Sequence, residues 1–336
     1  MAVHRTTRTL ALDPAPGSGT ATGGSVSRRT LLLGAAGGLT AAGLSRPGHA
    51  AGQWLSAGAA RRRHVNPVLV RRLRRALREA LHDPGIEAVG GILHVDGPAL
   101  GRWTGAAGLG RVHPDVPMRP TDRFRAGSIV KMFVAVRVLQ LSERGRLSLD
   151  ARLPEVLPAH ITRRFANARN ITVRMLLGHR SGIPEWESPT VDIIIGHHPA
   201  KVWTIPEKLD LAAAQPPGFA PGTSYAYSNT DYTLLGLIIE HLTGRTWRHE
   251  VARGVIRPLN LSGTSLPAPR HRAIRGPHAH GYAQRDGRRI DITGVDPSMA
   301  GAAGGSALVS TAEDLARFVH ALLGGRCSAD APRCGR

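Results

Sequence analysis

Between Asn66 and Asp83 the apolar positions recur every fourth residue. Leu69, Leu73, Leu77 and Leu81 form one stripe, and arginines fill the opposite side. That is the pattern of an amphipathic helix lying on another element. Asn66 can cap it, and Pro67 fits the first helical position, where the missing N–H costs nothing. Two short runs follow, 87–95 and 101–110, with "DGPAL" between them, and they read as a β-hairpin. Their glycines point to bulges or close backbone approach. From Ser128 onward the pattern turns mostly helical, over 128–144, 172–178, 231–243, about 248–256 and 311–323. Ser310 and Glu313 are spaced as a capping box for the last helix, which Gly324 and Gly325 end.

The helix from Ser128 breaks the amphipathic rule. Ile129, Val130, Met132, Phe133, Val134, Val136, Val138 and Leu139 surround it, which predicts a buried helix. Its early turns hold two polar side chains, Ser128 and Lys131, three apart and therefore on one face. Burial depresses the pKa of a lysine, and an amine so depressed can take the proton of a neighbouring hydroxyl. Taken alone, the spacing fits equally a core lysine whose amine snorkels to the surface. A second motif shifts the balance. Tyr227-Ser228-Asn229 stands just before an apolar helix. A phenol there can shuttle a proton to a leaving group, and an amide can bind a substrate carbonyl and the lysine.

With both motifs in place, the chain resembles the serine β-lactamase-related family, which includes class C β-lactamases and D-alanyl-D-alanine carboxypeptidases. The likeness runs through "FRAGSIVKMFVAVRVLQLSERGRLSLD", "ITVRMLLGHRSGIP", "PGTSYAYSNTDYTLLGLIIEHLTG", "IRPLNLSGTSLP" and "AAGGSALVSTAEDLARFVHALLGG". It implies an α+β fold of β-lactamase/transpeptidase type: an antiparallel sheet flanked by helices, plus a mostly helical subdomain. It implies Ser128 as nucleophile, Lys131 as its base, Tyr227 as proton shuttle and Asn229 as substrate contact. His179, in "LLGHRSG", matches a segment with a structural role. The implied substrates are amide or lactam carbonyls of cell-wall peptides or β-lactams, with esters as the alternative, and no metal or organic cofactor is needed.

The resemblance also implies a third motif, Lys-Thr-Gly or His-Thr-Gly, on a strand near the C-terminus. Neither occurs: "HLTGRT" has the wrong spacing and "HAHGY" comes too early. Members continue past the "STAEDLARF" helix with three further strands and a helix. The expectation is therefore a truncated chain whose last sheet strands are missing. An open hairpin edge would leave it unstable or inactive, and an inactive fragment is the non-enzyme alternative.

Composition adds an address and removes some partners. Arg28 and Arg29 precede a short Gly/Ala-rich apolar run and small residues up to Ala50, the pattern of a twin-arginine export signal over 1–50. Residues 51–65 read as a linker, 66–325 as the hydrolase domain and 326–336 as an aberrant tail holding Cys327 and Cys334. The run is too short for a stable membrane span once the signal is cleaved. The 336 residues carry 44 Lys+Arg against 24 Asp+Glu, a formal +20. Only Lys131, Lys201 and Lys208 are lysines, a bias of composition, and the basic residues form no stripe interleaved with aromatics as a nucleic-acid binder would need. Sixteen histidines, His197-His198 and His278/His280 among them, come without a carboxylate at helical ligand spacing, so no metal site is expected.

Overall fold

The computed structural model describes residues 65–83, 88–98, 100–187, 198–285, 287–300, 302 and 307–328. The stretch read as an export signal, most of the expected linker, His197 and Cys334 lie outside them.

The apolar helix forms the centre. Helix α2, Val130–Glu143, buries Val130, Phe133, Val134, Val138 and Leu141 completely. The Phe133 ring stacks on Phe318 with centroids 3.9 Å apart. Not every side is covered: Ile129, Met132 and Leu139 remain about two-fifths exposed. Nor is every buried side chain apolar. The Arg137 guanidinium lies within the core and forms an ion pair with buried Glu250, its Nε donating at 3.0 Å. Gln140 donates to the carbonyls of Gly254 and Cys327 at 3.0 and 2.9 Å, tying the end of the described chain to α2.

Helix α1, Pro67–Leu81, starts where its cap dictates. Asn66 Oδ1 accepts the Val68 N–H at 2.8 Å. Its leucine stripe is half-buried, and the helix packs on strands β1 (Gly90–Gly97) and β2 (Gly101–Arg111). These pair antiparallel from Gly90↔Gly108 to Gly97↔Gly101. The glycines are there for approach: a Cβ on Gly90 would lie 2.3 Å from the Leu109 carbonyl oxygen. Strand β3, Val116–Pro117, adds to the other side of β2, giving the order β1-β2-β3. Among the described residues β1 has a strand partner on one side alone.

Away from the sheet the chain is helical. Short helices α3 (Leu153–Val156), α4 (Ala159–Thr162) and α5 (Val173–Leu177) lead to α6 (Ile205–Ala213), α7 (Asn229–Thr243) and α8 (Trp247–Val251). Helix α8 runs on into a π-helical turn, Ala252–Ile256. The α5, α6 and α8 helices all pack on α7, and α2 packs on α7 and α8. Two two-stranded ladders complete the described chain: β4 (Phe124–Arg125) with β7 (Val309–Ser310), and β5 (Tyr282–Arg285) with β6 (Arg288–Asp291). The architecture is α+β, as expected.

Three expectations shift in detail. Helix α9, Ala312–Leu323, is capped by Thr311, whose hydroxyl accepts from Asp314 N at 3.2 Å, so the Ser310/Glu313 capping box does not form. Ser310 is already committed to β7, and its hydroxyl bonds Thr264. Helix α7 begins at Asn229, two residues early, so Asn229 holds its first position and Tyr227 stands two residues ahead of it. Helix α6 was missed, although Thr204 and Glu207 form a reciprocal capping box at its start. No helix of the described residues is long and apolar enough to cross a membrane.

Candidate active site

The chain reaches Ser128 along a fixed track. Strand β4 pairs with β7, and Ala126 N then bonds the Leu308 carbonyl at 2.9 Å. Gly127 takes a positive φ of 56°, and the tight turn Gly127–Ile129 leads into α2. Ser128 therefore sits on a 3-10 turn just ahead of the α-helix, and Lys131 occupies the first turn of the helix itself. The Lys131 Nζ lies 3.1 Å from Ser128 Oγ.

Ninety-nine positions later, Tyr227 Oη donates to the same Ser128 Oγ at 2.7 Å. Lys131 Nζ donates to Asn229 Oδ1 at 2.6 Å and lies 4.7 Å from the centre of the Tyr227 ring. Lys131 and Tyr227 thus meet at the Ser128 hydroxyl oxygen, and Asn229 joins them through Lys131.

Burial sets the charge balance. Lys131 is 5% exposed, and desolvation lowers its pKa to about 8, opposed by Glu187 and Glu185. The drop corresponds to roughly 3 kcal/mol in favour of the neutral amine relative to water. Desolvation also raises the Tyr227 pKa, so the phenol keeps its proton. A free amine beside a hydroxyl, with a protonated phenol on the other side, can pass a proton from one flank of Ser128 to the other.

Two carboxylates went unnoticed in the sequence. Glu185 accepts the backbone N–H of Asn229 at 2.6 Å, and Glu187 accepts from the Asn229 side-chain NH2. The second bond orients the amide so that its oxygen faces Lys131. Desolvation, reinforced by Glu185, raises the Glu187 pKa. The available signal was "PEWES", two acids two apart in a loop after the "GHRSG" segment, but nothing local says that such a loop folds back on the motif at 227–229. His179 is closer to the site than a structural turn residue need be. Its Nδ1 accepts the Ser228 N–H at 3.2 Å, and its ring lies against Tyr227 with centroids 4.6 Å apart.

Of the histidines considered for metal, His197 lies outside the described residues. His278 stacks on His280, and His280 pairs with Asp291 at 2.5 Å. Among the described residues no three His, Cys, Asp or Glu side chains group as metal ligands. Cys327 is a buried free thiol.

An antiparallel sheet with helices packed on it, a helical subdomain, and Ser, Lys, Tyr and Asn converging between them define the fold of the serine β-lactamases and transpeptidases. The family described as Beta-lactamase matches residues 40–333, and the chain belongs to it, a family of serine acyl hydrolases. Among curated proteins the chain is similar to penicillin-binding protein 4 of Amycolatopsis lactamdurans, 31% identical over 73% of this chain and 61% of that one. It is also similar to esterase EstB of Burkholderia gladioli, 27% identical over 65% and 61%. The chain thus spans about three-fifths of the length of both relatives. Among solved structures, a D-stereospecific amidohydrolase from Streptomyces sp. superposes with a TM-score of 0.67 at 34% identity, covering 76% of this chain and 74% of that one. D-amino acid amidase of Ochrobactrum anthropi SV3 gives 0.65 at 29% identity, covering 77% and 73%.

Proposed function

We propose that this protein is an exported serine hydrolase of amide and lactam carbonyls, acting on D-alanyl peptides of the cell wall, on β-lactams or on amides of D-amino acids. The observation that carries the reading is one oxygen with two proton-handling partners: Ser128 Oγ lies 3.1 Å from Lys131 Nζ and 2.7 Å from Tyr227 Oη. In this mechanism neutral Lys131 takes the Ser128 proton as Oγ attacks the carbonyl carbon. The charge that develops on the carbonyl oxygen calls for a backbone N–H donor, a role this mechanism gives to the turn at Ser128. Tyr227 gives its proton to the leaving nitrogen, and the phenolate is reprotonated from the Lys131 ammonium. Water then attacks the acyl-serine by the reverse sequence and frees the acid. Asn229 holds the lysine and contacts the substrate carbonyl.

D-amino acid substrates enter the reading because two of the similar structures carry D-amidase names. An esterase on the same scaffold is the second reading, favoured by the likeness to EstB. Export by the twin-arginine pattern of residues 1–50 supplies access to the wall. The test pairs a fluorescent penicillin with turnover of a D-alanyl-D-alanine peptide, a D-amino acid amide and a short acyl ester. Covalent label that disappears in Ser128→Ala, with amide turnover above ester turnover, supports the proposal. Label that survives Ser128→Ala rejects Ser128 as nucleophile, ester turnover alone selects the second reading, and a folded chain inert to all of them is the inactive form.

A further inference from the structure

Behind the Tyr227–Asn229 turn lies a buried group that the mechanism above leaves unused. Asp231, on the first turn of α7, is completely buried. Its Oδ1 accepts from Ser181 Oγ at 2.5 Å, while its Oδ2 is buried without a hydrogen-bond partner. That oxygen lies 3.7 Å from His179 Nδ1. Yet Nδ1 already accepts the backbone N–H of Ser228, so in this arrangement its lone pair is free of a proton. One nitrogen therefore has two possible bonds. Unprotonated, it accepts from Ser228 and holds the turn. Protonated, it must release Ser228 and can instead donate to Asp231.

We propose that His179, backed by Asp231, is the positioning residue for the Tyr227–Asn229 turn, and that the turn is in place only while Nδ1 carries no proton. The inference rests on reading Tyr227 and Asn229 as working residues. His179 holds the turn at three points. Its backbone carbonyl accepts from Ala226 N at 3.1 Å, its Nδ1 accepts from Ser228 N, and its ring is the surface on which Tyr227 lies. Its own backbone is in the left-handed region, φ 55°, which swings the ring under the turn. Around the imidazole stand Tyr225, Tyr227 and Tyr232, with Lys131 over the Tyr232 ring, Glu185 acting on Asp231, and Arg180 turned away to the Gly222 carbonyl. Among the described residues Asp231 is the one carboxylate this close to Nδ1. Burial pushes its pKa up to about 6, partly offset by His179 and Ser181.

The experiment separates the acceptor from the ring. His179→Asn puts an amide oxygen in the place of Nδ1, suits a left-handed backbone and does not titrate. In the wild type, log kcat/KM should fall with slope one below the Lys131 titration and steepen toward two at lower pH. In His179→Asn the slope should stay at one, with kcat at high pH within about threefold of wild type, the size of a bond kept rather than lost. His179→Phe, which keeps a ring but no acceptor, should lose about 10- to 100-fold in kcat with little change in KM. The same steepening in His179→Asn as in the wild type overturns the proposal. A second measurement needs no turnover: nitrogen-15 NMR of the full wild-type chain at pH 8 should show His179 with its proton on Nε2. A proton on Nδ1 overturns the inference whether or not the enzyme is active, and a chain inert to every acyl donor fails the functional reading without touching the NMR result.

Discussion

Lys131 Nζ and Asn229 Oδ1 meet at 2.6 Å across 98 positions of chain, and the amide is aimed by Glu187 from its other end. An amine, an amide and a carboxylate thus stand in line behind Ser128. The line gives the buried lysine an acceptor without giving it a full counter-charge in contact, which is how it stays easy to deprotonate.

The first consequence is a pH profile. In the proposed mechanism the base works as the neutral amine, and the Lys131 pKa is lowered to about 8. Acylation should therefore rise with pH through about 8 and level off above it, until Tyr227 begins to lose its proton. Stopped-flow acylation by a chromogenic β-lactam or ester across pH 6–10 measures this; a rate that is flat between pH 7 and 9 argues against a lysine base.

Removing Glu187 should move that profile in a fixed direction. Glu187 raises the Lys131 pKa, so Glu187→Gln should lower it further and shift the ascending limb to lower pH. The plateau should fall no more than about threefold, since the glutamine carbonyl oxygen can still accept from the Asn229 amide. A limb that moves to higher pH would show that Glu187 does not act on Lys131 through charge.

Tyr227→Phe is the cleanest probe of proton delivery. The ring contact with His179 is kept and only the hydroxyl on Ser128 Oγ is lost. The expected fall in kcat is about 10²- to 10⁴-fold, the range for one acid–base group, with an unchanged melting temperature.

Stability should depend on pH through the lysines. Lys208 is fully buried, bonds the Ser298 carbonyl and lies under Trp186, and desolvation lowers its pKa to about 7. A lysine whose pKa is lower folded than unfolded binds fewer protons in the fold between the two values. Its stabilising contribution is thus present at high pH and lost as pH falls toward the folded value. Melting temperature should climb from pH 7 to pH 9, and Lys208→Met should flatten part of the climb. A wild-type melting temperature that falls over this range contradicts the assignment.

The Arg137–Glu250 pair should behave as a buried ion pair, costly to halve. Glu250→Ala leaves the guanidinium unpaired inside the core and should cost about 3–5 kcal/mol, read by chemical denaturation. The double change Arg137→Met/Glu250→Leu should recover most of that loss.

What the sequence disclosed and what it hid divide along one line. The serine, lysine, tyrosine and asparagine were legible because each motif is local: two residues three positions apart, or two flanking a serine. Helix α1 was legible for the same reason, its leucines repeating every fourth position beside an asparagine cap. Glu185, Glu187 and Asp231 were not, because their importance lies in where distant loops return. The capping of α9 was displaced by one residue because Ser310 pairs in β7, a tertiary bond that local spacing does not reveal. Helix α6 was within reach: Thr204 and Glu207 carry a capping-box signature with Pro206 in the first turn. The hairpin of β5 and β6 was too, since Asp286-Gly287 is a strong turn signal between its arms.

The short ladder between β4 and β7 sets a timetable for the molecule. Phe124 pairs with Ser310 and Ala126 hangs from Leu308, so the platform beneath the nucleophile comes from residues made long after it. All four reactive side chains leave the ribosome before the segment that seats them. A nascent chain halted between residues 229 and 309 would carry all four side chains without the ladder that seats Ser128.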